Sequence, residues 1–283
     1  MMTAGKDGLL DLLERSGDDE AVLDLKILRE EFEDKALEES VKRRAAGEPL
    51  AYILGYRHFY KECYKVCSGV LIPRADTEIV VESALKFLGI NDMATGDLLN
   101  VPEYDKELTD IRFADFCTGT GCIGISVANE IVRKGGRVTG YLMDISDTAV
   151  ETATANVESQ AIRPEFISVM KYDVTCSAPD LDKLDFIVSN PPYITNKDMN
   201  TLDKGVKDYE PDLALRAGDD GLDFYHPIIE SAKKLLKDGG ALIVEHGYDQ
   251  GNSVRELFES AGLKKCMTIR DYGGNDRVTL GIK

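Results

Sequence analysis

The chain has 283 residues, with 51 Asp and Glu against 34 Lys and Arg, a formal net charge of -17 and a hydrophobic content of 43%. That balance disfavours a protein whose affinity comes from neutralising many phosphates, although it leaves room for a local basic patch. The length suits one large domain, or a medium one with a small companion, and enough core can be buried without covalent staples. No run of about 18 apolar residues occurs, which disfavours a membrane span. Met1 to Gly17 carries Lys6, Asp7, Asp11, Glu14 and Arg15 where a secretory signal needs an unbroken apolar stretch, so a cytoplasmic location is expected.

Residues 1 to about 46 read as a small acidic helical unit. Met1 to Ser40 holds 13 acidic against 5 basic residues. Val22, Leu25, Leu28 and Phe32 recur at spacings of three and four, one apolar stripe on a helix. Gly47, with Pro49 two residues on, is a stop signal. Residues 56–72 mix aromatic and β-branched residues with polar ones and predict a hairpin linking two parts of the chain. A helix carrying Val80, Val81, Ala84, Leu85 and Leu88 follows Pro73. Gly89 to Thr109, rich in Asn, Asp and Gly, predicts a loop or frayed helix.

From Ile111 onward strand and helix patterns alternate. Short β-like runs fall at 111–117, 138–144, 166–172, 184–189 and 240–246, each separated by enough chain for a crossover helix, as in a doubly wound parallel sheet. Runs at 263–270 and 276–282, separated by a turn containing Gly273 and Gly274, predict an antiparallel hairpin. The expected fold class is α/β: a Rossmann-like class I S-adenosylmethionine-dependent methyltransferase sheet with a C-terminal antiparallel hairpin and a small N-terminal helical domain. An ordinary dinucleotide-binding fold is the alternative that strand counting leaves open. The six cysteines, Cys63, Cys67, Cys117, Cys122, Cys176 and Cys266, contain no C-x-x-C pair, and with only three histidines no metal site is expected.

Gly119-Thr120-Gly121-Cys122-Ile123-Gly124 satisfies G-x-G-x-x-G directly after a strand and at the head of an apolar helix. Such glycines let the backbone turn tightly and approach a ligand beside the unsatisfied amides of a helix start. Asp144 closes the next strand, placed to accept both hydroxyls of a ribose or, more plainly, to cap the helix that follows. Asp173 ends the third strand, where a carboxylate can accept from an exocyclic adenine amine or simply make a turn. These residues suit an adenosine-containing ligand, whether a nicotinamide dinucleotide or S-adenosylmethionine.

The fourth strand runs into Asn190-Pro191-Pro192-Tyr193. Two prolines after a buried strand cannot continue it and build a rigid loop instead. That loop suits methylation of a planar nitrogen whose lone pair is delocalised. If the Asn190 side-chain carbonyl accepts one N–H and the Pro191 backbone carbonyl the other, the nitrogen is held and drawn toward tetrahedral geometry for in-line transfer. Tyr193 can pack over the flat amide or base. No strong general base is required, because the alkylated nitrogen loses its extra proton readily.

The sequence resembles the HemK/PrmC-type protein-glutamine methyltransferases, which methylate the glutamine of the Gly-Gly-Gln motif of peptide chain release factors. The likeness runs from about residue 42 to the C-terminus through Arg43–Gly55, Leu71–Glu78, the glycine loop, Asn190–Tyr193, Tyr209–Leu215, Asp220–Leu222, Glu245–Gln250 and Asp271–Arg277. It implies S-adenosyl-L-methionine as cofactor, with S-adenosyl-L-homocysteine as product, held by Cys117, Thr118, Gly119, Thr120, Gly121, Asp144, Asp173, Val174 and Asn190. It implies Asn190, Pro191 and Tyr193 as catalytic, and Asn190 to Tyr193, with Pro192, as the glutamine site. It implies class I release factors as partners and translation termination as the process tuned, with no direct nucleic-acid partner, no membrane and a monomer. It divides the chain into a substrate-recognition domain at 1–55, a linker hairpin at 56–72 and a methyltransferase domain at 73–283. Arg74 and Glu78 are expected to organise the cover of the cofactor or to pair with each other. Cys117 stands where the family usually has glycine, Ala75 replaces a common proline, Val174 sits where an aromatic often stacks, and the N-terminal region looks short. Amino-group methylation of adenine or guanine in DNA or RNA shares the Asn-Pro-Pro-Tyr motif and is the alternative. The acidic N-terminal stretch could steer the chain toward a basic release factor.

Overall fold

The computed structural model describes residues 8–90, 100–104, 107–160 and 167–283. The acidic N-terminal stretch forms four helices, α1 (Gly8–Arg15), α2 (Ala21–Glu31), α3 (Asp34–Ala45) and α4 (Leu50–Leu54). They share an apolar cluster of Leu13, Ala21, Leu25, Leu28, Val41 and Ile53, against which Phe32 is partly buried. The expected stripe is thus misplaced at its first member, for Val22 is 69% exposed. At about 100° per residue, Ala21, Leu25, Leu28 and Phe32 fall within roughly 60° of arc, and Val22 lies outside it. Asp24 is buried in this unit and is held by Arg44 at 2.5 Å, which also reaches Asp18 at 2.9 Å. Gly47, at φ 100°, turns the chain out of α3, and Pro49 then serves as the N-cap residue of α4.

The hairpin expected after this unit consists of β1 (Tyr56–Phe59) and β2 (Glu62–Lys65), antiparallel with Tyr56 opposite Lys65. It is fastened to the larger body by side chains rather than by sheet pairing. The Asn156 amide accepts from the Lys65 N–H at 2.7 Å and donates to the Lys65 carbonyl at 3.1 Å, and the Tyr64 and Ser126 hydroxyls meet at 2.7 Å. A 3-10 turn at Ala75–Thr77 then leads into α5 (Glu78–Phe87).

The larger body alternates β3 (Ile111–Phe116), α6 (Cys122–Arg133), β4 (Val138–Asp144), α7 (Asp147–Ser159), β5 (Ile167–Lys171), β6 (Leu184–Ser189), α8 (Lys204–Lys207), α9 (Tyr225–Leu235), β7 (Leu236–Glu245), α10 (Gly251–Ser260), β8 (Lys264–Arg270) and β9 (Asp276–Ile282). The strands form one seven-stranded sheet in the order β5-β4-β3-β6-β7-β9-β8. β3 to β7 run parallel, and β9 inserts antiparallel between β7 and β8. The parallel sheet and terminal hairpin are as the pattern predicts. Between β5 and β6, however, no crossover helix forms: residues 172–183 are irregular. That stretch contains Pro179 and spaced aspartates and lacks an apolar face of helical period. β7 starts earlier than expected, at Leu236, through a register shift opposite Leu184 and Phe186. Of the expected loop at Gly89 to Thr109, residues 91–99 and 105–106 lie outside the described residues, as does residue 166 of the third run. Tyr104 stacks on Phe87 at 4.9 Å and its hydroxyl donates to Asp185 at 2.7 Å.

Apolar clusters cover both faces of the sheet, one gathering α5 and α6, the other α9 and α10. At the centre, Phe113 of β3 and Phe186 of β6 stack with centroids 5.0 Å apart. Because β3, β4, β5 and β6 are parallel, their C-terminal ends share one edge of the sheet, bringing Cys117, Asp144, Asp173 and Asn190 together from distant points in the sequence. Truncating the stacked core should be costly: Phe113→Ala should lower unfolding free energy by about 3–5 kcal/mol, read from urea titration.

Candidate active site

A cavity of about 340 Å³ opens at that edge. Its floor comes from Cys117 to Thr120, Asp144, Ile145, Asp173, Val174, Asn190 and Pro192, and its cover from Val70, Leu71, Pro73, Arg74 and Thr77 before α5. Gly121, Pro191 and Tyr193 do not line it. Gly121 instead forms the N-cap of α6, while Pro191 is buried and Tyr193 half-buried behind the wall.

The glycine loop hangs from a buried carboxylate. Asp115 Oδ2 accepts from the Thr118 hydroxyl at 2.7 Å and from the Gly124 N–H at 3.0 Å, and its other oxygen has no hydrogen-bond partner. Gly124 is required by contact, since a Cβ there would lie 2.2 Å from Leu142. Cys117 adopts φ 58°, the left-handed region that favours glycine, which accounts physically for glycine being usual at this position in the resembling family. Its thiol is pushed up by burial and by Asp144 and Asp115, so it stays protonated.

Asp144 accepts from the Gly119 N–H at 2.9 Å and the Ser146 N–H at 2.9 Å, tying the ends of β3 and β4 together. Burial raises its pKa, against those two amides. It does not cap α7; Ser146 does, accepting from the Ala149 N–H at 3.3 Å. Asp173 accepts from the Thr175 hydroxyl at 2.6 Å and N–H at 2.9 Å, which hold its pKa below the usual range. Beside them Ile145, 41% exposed, offers an apolar face in the cavity that the sequence reading did not single out.

The loop after β6 is clamped at several points. The Ser189 hydroxyl donates to the Phe116 carbonyl at 2.7 Å, and Asn190 Nδ2 donates to Thr77 Oγ1 at 3.2 Å. Gln250 Nε2 donates to the Tyr193 carbonyl at 3.0 Å, and Ile194 exchanges backbone bonds with Leu215 and Ala217. Gly221, at φ 75°, admits the close approach, for a Cβ there would stand 2.5 Å from the Tyr193 carbonyl oxygen. The Tyr193 hydroxyl donates to Glu245 at 3.2 Å. Arg74 and Glu78 do not pair with each other. Arg74 pairs with Glu210, which also accepts from the Ile72 N–H at 3.2 Å, and Glu78 accepts from the Tyr60 N–H at 2.9 Å. Cover and wall are thereby joined across the cavity mouth. Thr77, Glu210, Glu245 and Gln250 belong to the long-range framework; each lies inside a motif stretch of the resemblance, and none carries a distinct signal beyond it. Among the described residues no three His, Cys, Asp or Glu side chains converge as a metal site, and no helix is long and apolar enough to cross a membrane.

A parallel sheet with an inserted antiparallel β9, a glycine loop after β3, an aspartate closing β4 and Asn-Pro-Pro-Tyr after β6 define a methyltransferase. Comparison agrees: the family model for the methyltransferase small domain matches residues 90–206. The chain is 35% identical to the release factor glutamine methyltransferase of Haemophilus influenzae over 89% of this chain and 84% of that protein. It is 40% identical to the Vibrio cholerae protein of the same name, covering 87% and 77%. With the Fusobacterium nucleatum protein of that name the identity is 37%, over 90% of this chain and 66% of the relative's length. The chain belongs to the release factor glutamine methyltransferase family.

Asp115 and Glu245 are both pushed up to about 7, chiefly by burial. Between about pH 4 and 7 the folded chain holds protons on them that the unfolded chain has released, so their contribution favours folding at the acid end and is lost as pH rises through 7. Asp115→Asn should make the fall in stability over this window shallower, measured as Tm against pH; an unaltered slope would show that Asp115 does not titrate there.

Proposed function

We propose that this chain transfers the methyl group of S-adenosylmethionine to the side-chain amide nitrogen of the glutamine in the Gly-Gly-Gln motif of class I release factors. The observation that carries this reading is the Asn190 amide, anchored through Nδ2 to Thr77 so that Oδ1 is left as the acceptor at the cavity. Family membership selects a protein glutamine over a nucleic-acid base, and the charge of -17 points the same way.

The cavity fits the cofactor in size and chemistry. Small-molecule sites span about 300–1,000 Å³ and combine apolar lining with a few placed polar groups. Here Asp144 supplies the carboxylate for a ribose, Ile145 and Val174 the apolar faces for an adenine, and Cys117 to Gly121 the close backbone for the methionine part. When bound, S-adenosylmethionine supplies an electrophilic methyl group on a sulfonium.

An amide nitrogen is a feeble nucleophile because its lone pair is delocalised into the carbonyl. Asn190 Oδ1 at the cavity wall accepts one N–H and so fixes the direction of the lone pair, and the carbonyl of Pro191, next in the chain and behind that wall, is the acceptor we propose for the other. Both acceptors sit on a backbone braced by Ser189, Gln250 and the Ile194 bridge, so little reorganisation is needed on substrate arrival. Tyr193 packs behind the loop, its hydroxyl committed to Glu245, and braces the loop rather than covering the substrate. The same acceptors lower the charge developing on nitrogen, and the proton leaves to solvent or to a neighbouring carbonyl without a dedicated base.

With labelled S-adenosylmethionine, the purified chain should methylate a class I release factor, and Asn190→Ala should reduce turnover by more than about 100-fold, the scale for losing a transition-state hydrogen bond, while cofactor affinity stays within about threefold. Label entering nucleic acid and never the release factor would refute the reading. Asp144→Ala should weaken cofactor binding at least about tenfold by calorimetry, the loss of charge-assisted hydrogen bonds; unchanged affinity would remove its ribose role.

A further inference from the structure

The resemblance assigns residues 1–55 to substrate recognition, apart from the cofactor. In the folded chain this unit, the cover and the wall meet beside the cavity. Ala51 and Tyr52 of α4, with Val66 and Ile72 from the chain leading over the cavity, form one buried apolar cluster, and Tyr209 packs against it. The Tyr209 hydroxyl donates to the Ala46 carbonyl, just past α3, at 3.3 Å. The next residue, Glu210, holds Arg74 and the Ile72 N–H.

Within this junction Tyr52 reaches the backbone of the cover. It is 8% exposed, and its hydroxyl donates to the Val70 carbonyl at 2.6 Å. Val70 is 1% exposed, so its carbonyl has little access to water, and a buried acceptor left without a donor is costly. The Val70 side chain lies over the glycine loop, with Cγ1 3.9 Å from where a Cβ on Gly119 would stand. Gly69, at φ 94°, packs on the first turn of α7, where a Cβ would stand 3.5 Å from Thr148 Cγ2. The Gly119 N–H is the one that donates to Asp144. Val70 is therefore held between α4 and the corner where β3 and β4 end, the corner that takes the ribose in the proposed function.

We propose that Tyr52 is a positioning residue for the cofactor: by holding the Val70 carbonyl it keeps the cover down on the Gly119–Asp144 corner, so that the N-terminal helical unit builds part of the cofactor site. This rests on the reading of the cavity as the S-adenosylmethionine site. One net hydrogen bond corresponds to about a tenfold change in the closed fraction of the cover. A less populated competent state raises the apparent Kd in proportion.

The test measures S-adenosylmethionine affinity by calorimetry for the full chain and for Tyr52→Phe, Tyr64→Phe and Val70→Ala, with folding checked by thermal melts. Tyr52→Phe removes only the hydroxyl and should raise Kd about fivefold or more. Tyr64 is the control, since its buried hydroxyl meets Ser126 at 2.7 Å and it lines no part of the cavity. Tyr64→Phe should lower Tm by a similar amount yet leave Kd within about twofold. In a Val70→Ala background Tyr52→Phe should add little, because the bond acts through Val70. An unchanged Kd for Tyr52→Phe, equal weakening by Tyr64→Phe, or additive losses with Val70→Ala would overturn the proposal. A second readout needs no cofactor: the backbone amides of residues 69–72 should exchange with water about fivefold faster or more in Tyr52→Phe, and at the parental rate in Tyr64→Phe. Parental exchange in Tyr52→Phe would overturn it as well. If the parent chain binds no S-adenosylmethionine, the reading of the cavity fails and this proposal with it, whereas parental binding that Tyr52→Phe leaves unaltered defeats the proposal alone.

Discussion

The end of β6 meets a demanding constraint: a strand buried on both faces must stop within one residue and turn an asparagine toward a cavity. Pro191 and Pro192 stop it, because neither can donate to a neighbouring strand. What remains is to hold the loop they form, and the surrounding elements are arranged around that task. β3 holds it through the Phe116 carbonyl, the turn before α5 through Thr77, α10 through the residue preceding it, Gln250, and the segment after α8 through Leu215 and Ala217. A planar nitrogen with a delocalised lone pair gives a catalyst little to work with except geometry, and this is where the fold spends its hydrogen bonds.

The opposite wall is built on the same principle with a different anchor. Asp115 suspends the glycine loop and Asp144 stitches that loop to β4. Both are carboxylates whose burial raises their pKa, and both are compensated by N–H and O–H donors rather than by cations. Desolvation favours the neutral acid, and the donors favour the anion without introducing a charge that would compete with a cationic sulfonium. Among the described residues that line the cavity, the one arginine, Arg74, is turned to Glu210. The cavity therefore has acidic and apolar character, suited to a ligand with one positive centre and an aromatic base.

Much of this was legible from residues alone. Strand periods placed β3, β4, β6, β8 and β9 within a residue or two, and Gly119, Thr120, Asp144, Asp173 and Asn190 converge as the parallel topology requires. Other features were out of reach for identifiable reasons. Ala21 and Val22 are both apolar and adjacent, and only the true start of α2 decides which faces Leu25 and Leu28. Arg74 and Glu78 look like an i, i+4 pair, but the 3-10 turn between them separates their directions and each finds a distant partner. Glu245 reads as the polar end of a buried strand, and its bond from the Tyr193 hydroxyl exists only because the sheet brings β7 beside a loop 52 positions earlier. Cys117 carries a local signal of its own only once its φ of 58° is known.

The most direct measurement is mass spectrometry of a class I release factor after incubation with the purified chain and S-adenosylmethionine. The account predicts a single added methyl group on the side-chain amide of the Gly-Gly-Gln glutamine, absent when Asn190 is replaced. Methylation elsewhere, or an unmodified glutamine beside methylated nucleic acid, would contradict it.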